Sequence, residues 1–140
     1  MRNKAYQLFS TLLCLLLTGC VDKTSYTYLV QHPRFLKEQG VLCETVSPQT
    51  AYCKTVLEAS VYVSGLFEAA EQDPERFGER IMQVEGAVVQ AKEKYEFAKA
   101  EDSKAQRSES ASTADAKKKY DDLHLEMQTL LAVVGMNGPE

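Results

Sequence analysis

Three apolar stripes at helical spacing constrain this chain more than anything else in it. Val56, Ser60, Val63, Phe67 and Ala70 advance by four and three residues, and Ala59, Tyr62, Leu66 and Ala69 widen the same face. Such spacing puts every named residue on one side of a helix. Asp73-Pro74 supplies a cap followed by a proline suited to the first helical position, so one helix stops there and another starts. The second stripe runs Phe77, Ile81, Val84, Val88, Ala91, Tyr95 and Ala98. The third is Ala116, Tyr120, Leu123, Met127, Leu130 and Val134, one place out of phase with the second. Each seam needs a partner helix to stay dry.

Between the second and third stripes the apolar content falls to alanines among Ser, Glu, Lys and Gln. The phase shift across that stretch predicts a turn near residues 108–113, with Ser112 or Thr113 capping the next helix. The two helices then fold back as an antiparallel hairpin, joined by the 54–72 helix as third member. The alternative is one continuous helix over 74–134, roughly 90 Å long at 1.5 Å per residue, which leaves both seams wet. Gly135, Asn137, Gly138 and Pro139 end the last helix, leaving 135–140 as a tail.

The other end of the chain carries a different signal. Arg2 and Lys4 precede a leucine-rich run over 8–17, closed by Leu17-Thr18-Gly19-Cys20. A basic head, an apolar run of about ten residues and a small-residue site form a secretory signal, too short to span a bilayer permanently. The last four residues resemble a bacterial lipobox, which implies that residues 1–19 are removed and that Cys20 is acylated on its sulfur and amino group. The competing reading is an ordinary signal peptide ending at a cysteine. Each buried methylene contributes about 0.8 kcal/mol, so one acyl chain binds a membrane reversibly and several hold firmly. Residues 20–25 then form a lipidated tether, with the body in the bacterial cell envelope facing the periplasm. An aspartate directly after such a cysteine favours the inner membrane in enterobacterial lipoproteins. Here Asp22 stands one place later, and either membrane stays open.

Without residues 1–19 the chain has 121 residues, 14 of them basic and 20 acidic. That balance argues against general nucleic-acid binding, which needs a basic surface to displace counterions. Once Cys14 leaves with the signal and Cys20 is committed to lipid, Cys43 and Cys53 remain. In an oxidising compartment two cysteines ten positions apart form a structural disulfide. Zinc is the competing reading, but His32 and His124 elsewhere do not complete a four-ligand set. A redox-active pair has the tighter C-x-x-C spacing.

Around those cysteines the spacing predicts a small head over residues 26–53. Tyr26, Tyr28, Leu29 and Val30 give one or two helical turns, and His32-Pro33 restarts the helix, with Phe35 and Leu36 facing the cluster. Gly40 ends that helix, and Ser47-Pro48-Gln49 makes a turn between the cysteines. Tyr28-Leu29, His32-Pro33, Leu36, Cys43 and Cys53, all just after a lipobox, resemble the EexN-family lipoproteins. These are small envelope proteins associated with conjugative elements and type IV secretion clusters. The resemblance covers residues 20–53, and a further 87 residues follow Cys53. It implies entry exclusion, in which a cell blocks redundant transfer from a donor carrying a related element, through a protein partner in the transfer apparatus.

The sequence offers no cofactor site and no active site. His32 precedes a proline, so it caps or packs; His124 lies beside Asp121 and Asp122 and reads as a solvated residue. Glu101-Asp102 and Asp121-Asp122 read as charged, solvated helix faces. Tyr95 with Tyr120 and Phe67 with Phe77 fall on the seams, which points to packing, with a partner-binding patch as the alternative. Lys117-Lys118-Lys119 could touch anionic lipid, although a triplet spreads around a helix. Self-association through a seam is a further expectation. The fold expected is all-α: a short disulfide-braced N-terminal helical head followed by a helical hairpin or three-helix, coiled-coil-like bundle over 54–134. The function expected is a non-enzymatic binding lipoprotein, with an accessory role in assembling a secretion channel as the alternative.

Overall fold

The computed structural model describes residues 22–45 and 50–135. The signal segment, Cys20, the 47–49 turn and the tail beyond Gly135 lie outside them. Among the described residues five helices follow in order: α1 (Tyr26–Gln31), α2 (Pro33–Glu44), α3 (Ala51–Gln72), α4 (Pro74–Lys104) and α5 (Ala111–Gly135). There is no strand among the described residues, and the protein is all-α.

Local chemistry sets most of the boundaries. Asp22 accepts hydrogen bonds from the Thr24 backbone N–H and hydroxyl, and Ser25 caps α1 by accepting from the Tyr28 N–H at 3.2 Å. The expected tether over residues 20–25 is therefore a folded turn from Asp22 onward. His32 separates α1 from α2, and Pro33 takes the first position of α2, where a missing N–H costs nothing. Thr50 caps α3 through the Cys53 N–H, so α3 starts at Ala51 and carries Cys53 in its first turn. Asp73 caps α4 by accepting from Arg76, with Pro74 following, as the sequence predicts.

Gly40 does not end α2, which continues to Glu44. No described glycine has a positive φ, and the space where a Cβ would stand at Gly40 lies 3.6 Å from the Ser60 hydroxyl of α3. That is ordinary contact, so a Cβ would fit at Gly40; the helix stops later, where Thr45 closes the last turn by donating its hydroxyl to the Leu42 carbonyl at 2.8 Å.

Packing follows the seams. Val56, Ala59, Val63 and Leu66 of α3 are buried, as are Phe77, Val84, Val88 and Ala91 of α4. Ser60, Phe67, Ile81, Tyr95 and Ala98 are half-buried beside them, and Ala69 is exposed. In α5 the seam ends on Val133, 2% exposed, whereas Val134 is 51% exposed. Four-three spacing allows either neighbour to follow Leu130, and the crossing geometry selects Val133. α4 and α5 form the antiparallel hairpin and α3 is its third member, so a single continuous helix is excluded.

The head is part of the same core. Leu29 and Val30 of α1, Leu36 of α2 and both cysteines join the residues of α3, α4 and α5 in one buried cluster. α1 lies against both α3 and α5, and the Gln31 amide donates to the Gln128 side-chain carbonyl. Past Ala91 the hairpin loses this support. From Lys92 to Lys104, and across to residues 111–119, Asp102 and Thr113 are the buried positions. That distal part is a two-helix arm.

Candidate functional site

The residues of the N-terminal pattern converge on one end of the bundle. Leu29 and Leu36 are fully buried core residues and Pro33 is buried at the start of α2. Tyr28 and His32 lie outside them, one helical turn apart. Their rings stack with centroids 3.9 Å apart and planes 14° from parallel, and the Phe35 ring meets Tyr28 edge-on at 5.6 Å. His32 donates from Nδ1–H to the Tyr28 carbonyl at 2.8 Å, since a carbonyl can only accept. His32 thus ties the end of α1 and makes no side-chain cap to α2.

The cysteines form a disulfide, Cys43 to Cys53, with Cα atoms 5.2 Å apart. It clamps the last turn of α2 to the first turn of α3, so both sulfurs are buried and closed to metal or exchange chemistry. Antiparallel α2 and α3 enclose a shallow groove of about 390 Å³ next to it. Leu36, Gly40 and Val41 line one side and Ser60, Val63 and Phe67 the other. Its walls are mainly apolar and its floor is set by small residues, which suits an apolar partner surface rather than a charged small molecule.

At the far end, the hairpin turn holds a polar cluster. Asp102, 5% exposed, accepts from the Thr113 hydroxyl at 2.6 Å, the Ser110 N–H at 2.7 Å and Arg107 Nε at 2.6 Å. The Thr113 and Ser110 hydrogen bonds, and Arg107 after them, hold its carboxyl well below the usual carboxylate range against the opposing effect of desolvation. The turn is residues 105–110, and Ser110 caps α5 through the Thr113 N–H, in place of Ser112 or Thr113. Asp102 is not on a solvated face. It occupies the seam position seven residues after Tyr95, and Thr113 the one seven before Tyr120. Seam periodicity was the signal that could have flagged both.

The other sequence candidates have structural partners. Tyr95 and Tyr120 stack with centroids 6.4 Å apart across α4 and α5, and Phe77 is buried while Phe67 is half-buried, all four in packing roles. His124 is half-buried, 5.5 Å from the Tyr120 ring and 3.2 Å from the Gln128 amide, and so is not a freely solvated residue. Lys117 and Lys118 pair with Asp121 and Asp122 one turn on, at 2.5 and 2.7 Å; those hydrogen bonds raise both lysines. Arg80 of α4 reaches Glu126 of α5 at 2.6 Å, a cross-helix pair that spacing within one helix does not announce.

Among the described residues no cluster of three or more His, Cys, Asp or Glu side chains could hold a metal ion. No described helix is long and apolar enough to cross a membrane. Cys20 lies outside the described residues. What the arrangement offers chemically is rigid apolar surface on a disulfide-clamped head. No family model matches this chain, and neither does any curated protein or solved structure.

Proposed function

We propose that this chain is a membrane-anchored envelope lipoprotein that binds a component of a conjugation or type IV secretion apparatus and acts in entry exclusion. The observation that carries the reading is the order of its N-terminal features: Leu17-Thr18-Gly19-Cys20, then Tyr28-Leu29, His32-Pro33, Leu36, Cys43 and Cys53. The fold gives that pattern a physical sense, because its apolar members build the head and its cysteines clamp two helices.

The tether has a consequence for the mechanism. Asp22 is two residues from Cys20 and already belongs to a folded turn. Two residues span at most about 7 Å, so an acylated Cys20 holds the α1 end of the body against the lipid headgroups. A body held this close to a membrane acts by occlusion, binding a channel component that approaches the same surface. The partner is a protein, reached through apolar contact, with no nucleic acid involved.

A second reading is favoured by the long hairpin. α4 and α5 have 31 and 25 residues and extend past the head as the two-helix arm. In that reading the arm bridges to a secretion channel of the same cell and helps to assemble it.

Crosslinked envelopes, with native Cys20 and a tag after Glu140, separate the two. Transfer-channel subunits recovered only when donor cells are present support exclusion. The same subunits recovered without donors support assembly. Recovery of neither overturns both.

A further inference from the structure

The seams that could have driven self-association are used inside the molecule, yet two exposed apolar side chains of α4, set among glutamates, have no partner among the described residues. Met82 and Val89 are 65% and 54% exposed and stand seven residues apart, with Gly86 between them. At 100° per residue they lie about 100–160° around α4 from Val84 and Val88, outside the core-facing stripe. The same molecule carries the complementary shape, the α2–α3 groove whose floor is made small by Gly40, Ser60 and Ser64.

The charges beside these two surfaces match in order and in spacing. On α2, Lys37 and Glu44 line the groove seven residues apart. On α4, Glu85 and Lys92 flank the Met82–Val89 face, also seven residues apart. Seven residues of α-helix rise about 10.5 Å, so both pairs meet when the helices run parallel: Lys37 against Glu85, Glu44 against Lys92. All four side chains belong to exposed residues and make no ion pair among the described residues.

α2 is antiparallel to α3, as the facing of Gly40 with Ser60 and of Cys43 with Cys53 requires.

We infer that the Met82–Val89 face of one copy seats in the α2–α3 groove of a second copy, with Lys37–Glu85 and Glu44–Lys92 pairs across the contact. The two surfaces differ, so the contact is head-to-tail and adds further copies or closes a ring. The contact itself needs no membrane anchor.

Sedimentation of the full chain in detergent, over a range of concentrations, reads the contact directly. The wild-type mass rises with concentration and passes beyond a dimer. Lys37→Glu alone, and Glu85→Lys alone, each weaken association about tenfold, the equivalent of 1.4 kcal/mol. Combined in one chain they restore it, because the swapped pair attracts again. Val89→Arg, at an exposed position outside the folded core, abolishes association while the helical circular dichroism is unchanged. A monomer at every concentration overturns the inference, leaving the groove to another protein's helix. So does association that ignores both charge reversals, or a double variant no better than the single ones.

Discussion

Asp102 on α4 accepts a 2.6 Å hydrogen bond from the Thr113 hydroxyl on α5, across the turn that joins the two longest helices. The same carboxylate takes the Ser110 N–H and Arg107 Nε, while its backbone carbonyl takes the Arg107 N–H at 3.2 Å. One residue therefore closes α4 and starts α5. An acidic group that stays charged in a nearly buried place does so because three donors face it.

The pH dependence of the hairpin follows in sign from that arrangement. Folding lowers the Asp102 pKa from its ordinary value of 3.8. The unfolded chain then binds the proton more readily, so the stability contributed is complete above that value. It declines as pH falls below it and is gone once pH passes the folded value. Asp102→Asn keeps the shape and removes the charge. Its melting temperature lies below wild type by a constant margin between pH 7 and pH 5, and the margin narrows below pH 4.

Gln106 is the one described non-glycine residue with a positive φ, at 50°. Its N–H donates to the Ser103 carbonyl at 3.1 Å and the Arg107 N–H to Asp102, the two hydrogen bonds of a helix end that glycine normally occupies. A side chain in that conformation costs about 1–2 kcal/mol, part of which glycine returns as unfolded-state entropy. Gln106→Gly is expected to stabilise the chain by up to about 1 kcal/mol in urea unfolding.

The disulfide closes a loop of ten residues between α2 and α3. Constraining that loop in the unfolded chain contributes about 2–3 kcal/mol, so Cys43→Ser with Cys53→Ser lowers the urea midpoint accordingly. The unfolding transition keeps a single step, because α1 and α3 share their core with α5.

Positions of the N-terminal pattern should separate by depth. Leu29 is fully buried, and Leu29→Ala leaves a cavity costing about 2–5 kcal/mol. His32 is exposed and holds Tyr28 by a stacked ring and one hydrogen bond, so His32→Ala costs about 1 kcal/mol. Thermal unfolding of the two variants side by side checks the contrast.

These residues also show where the sequence was readable. The Asp73-Pro74 break, the cysteine pair and most seam positions depend on local spacing and are found as expected, whereas Tyr62, Ala69 and Val134 are exposed. Gly40 was misread because a glycine at a helix end and a glycine within a helix look alike in sequence, and the stop comes from Thr45 instead. Asp102 was misread because adjacent acidic residues are ordinarily solvated, and its three donors come from a turn whose course the sequence leaves open. Val133 and Val134 are adjacent valines, and the angle at which α5 crosses its neighbours decides between them. The α2–α3 groove has no linear signature at all, since it exists only between two helices held by the Cys43–Cys53 clamp.

The most direct measurement of the proposed role is transfer frequency into recipient cells. Three recipients are compared: one expressing the full chain, one expressing Cys20→Ser, and one lacking the gene. The account predicts that the full chain lowers acquisition of the related conjugative element, that Cys20→Ser restores it to the level of the gene-free recipient, and that an unrelated element enters all three equally. Equal acquisition of the related element by all three recipients contradicts it.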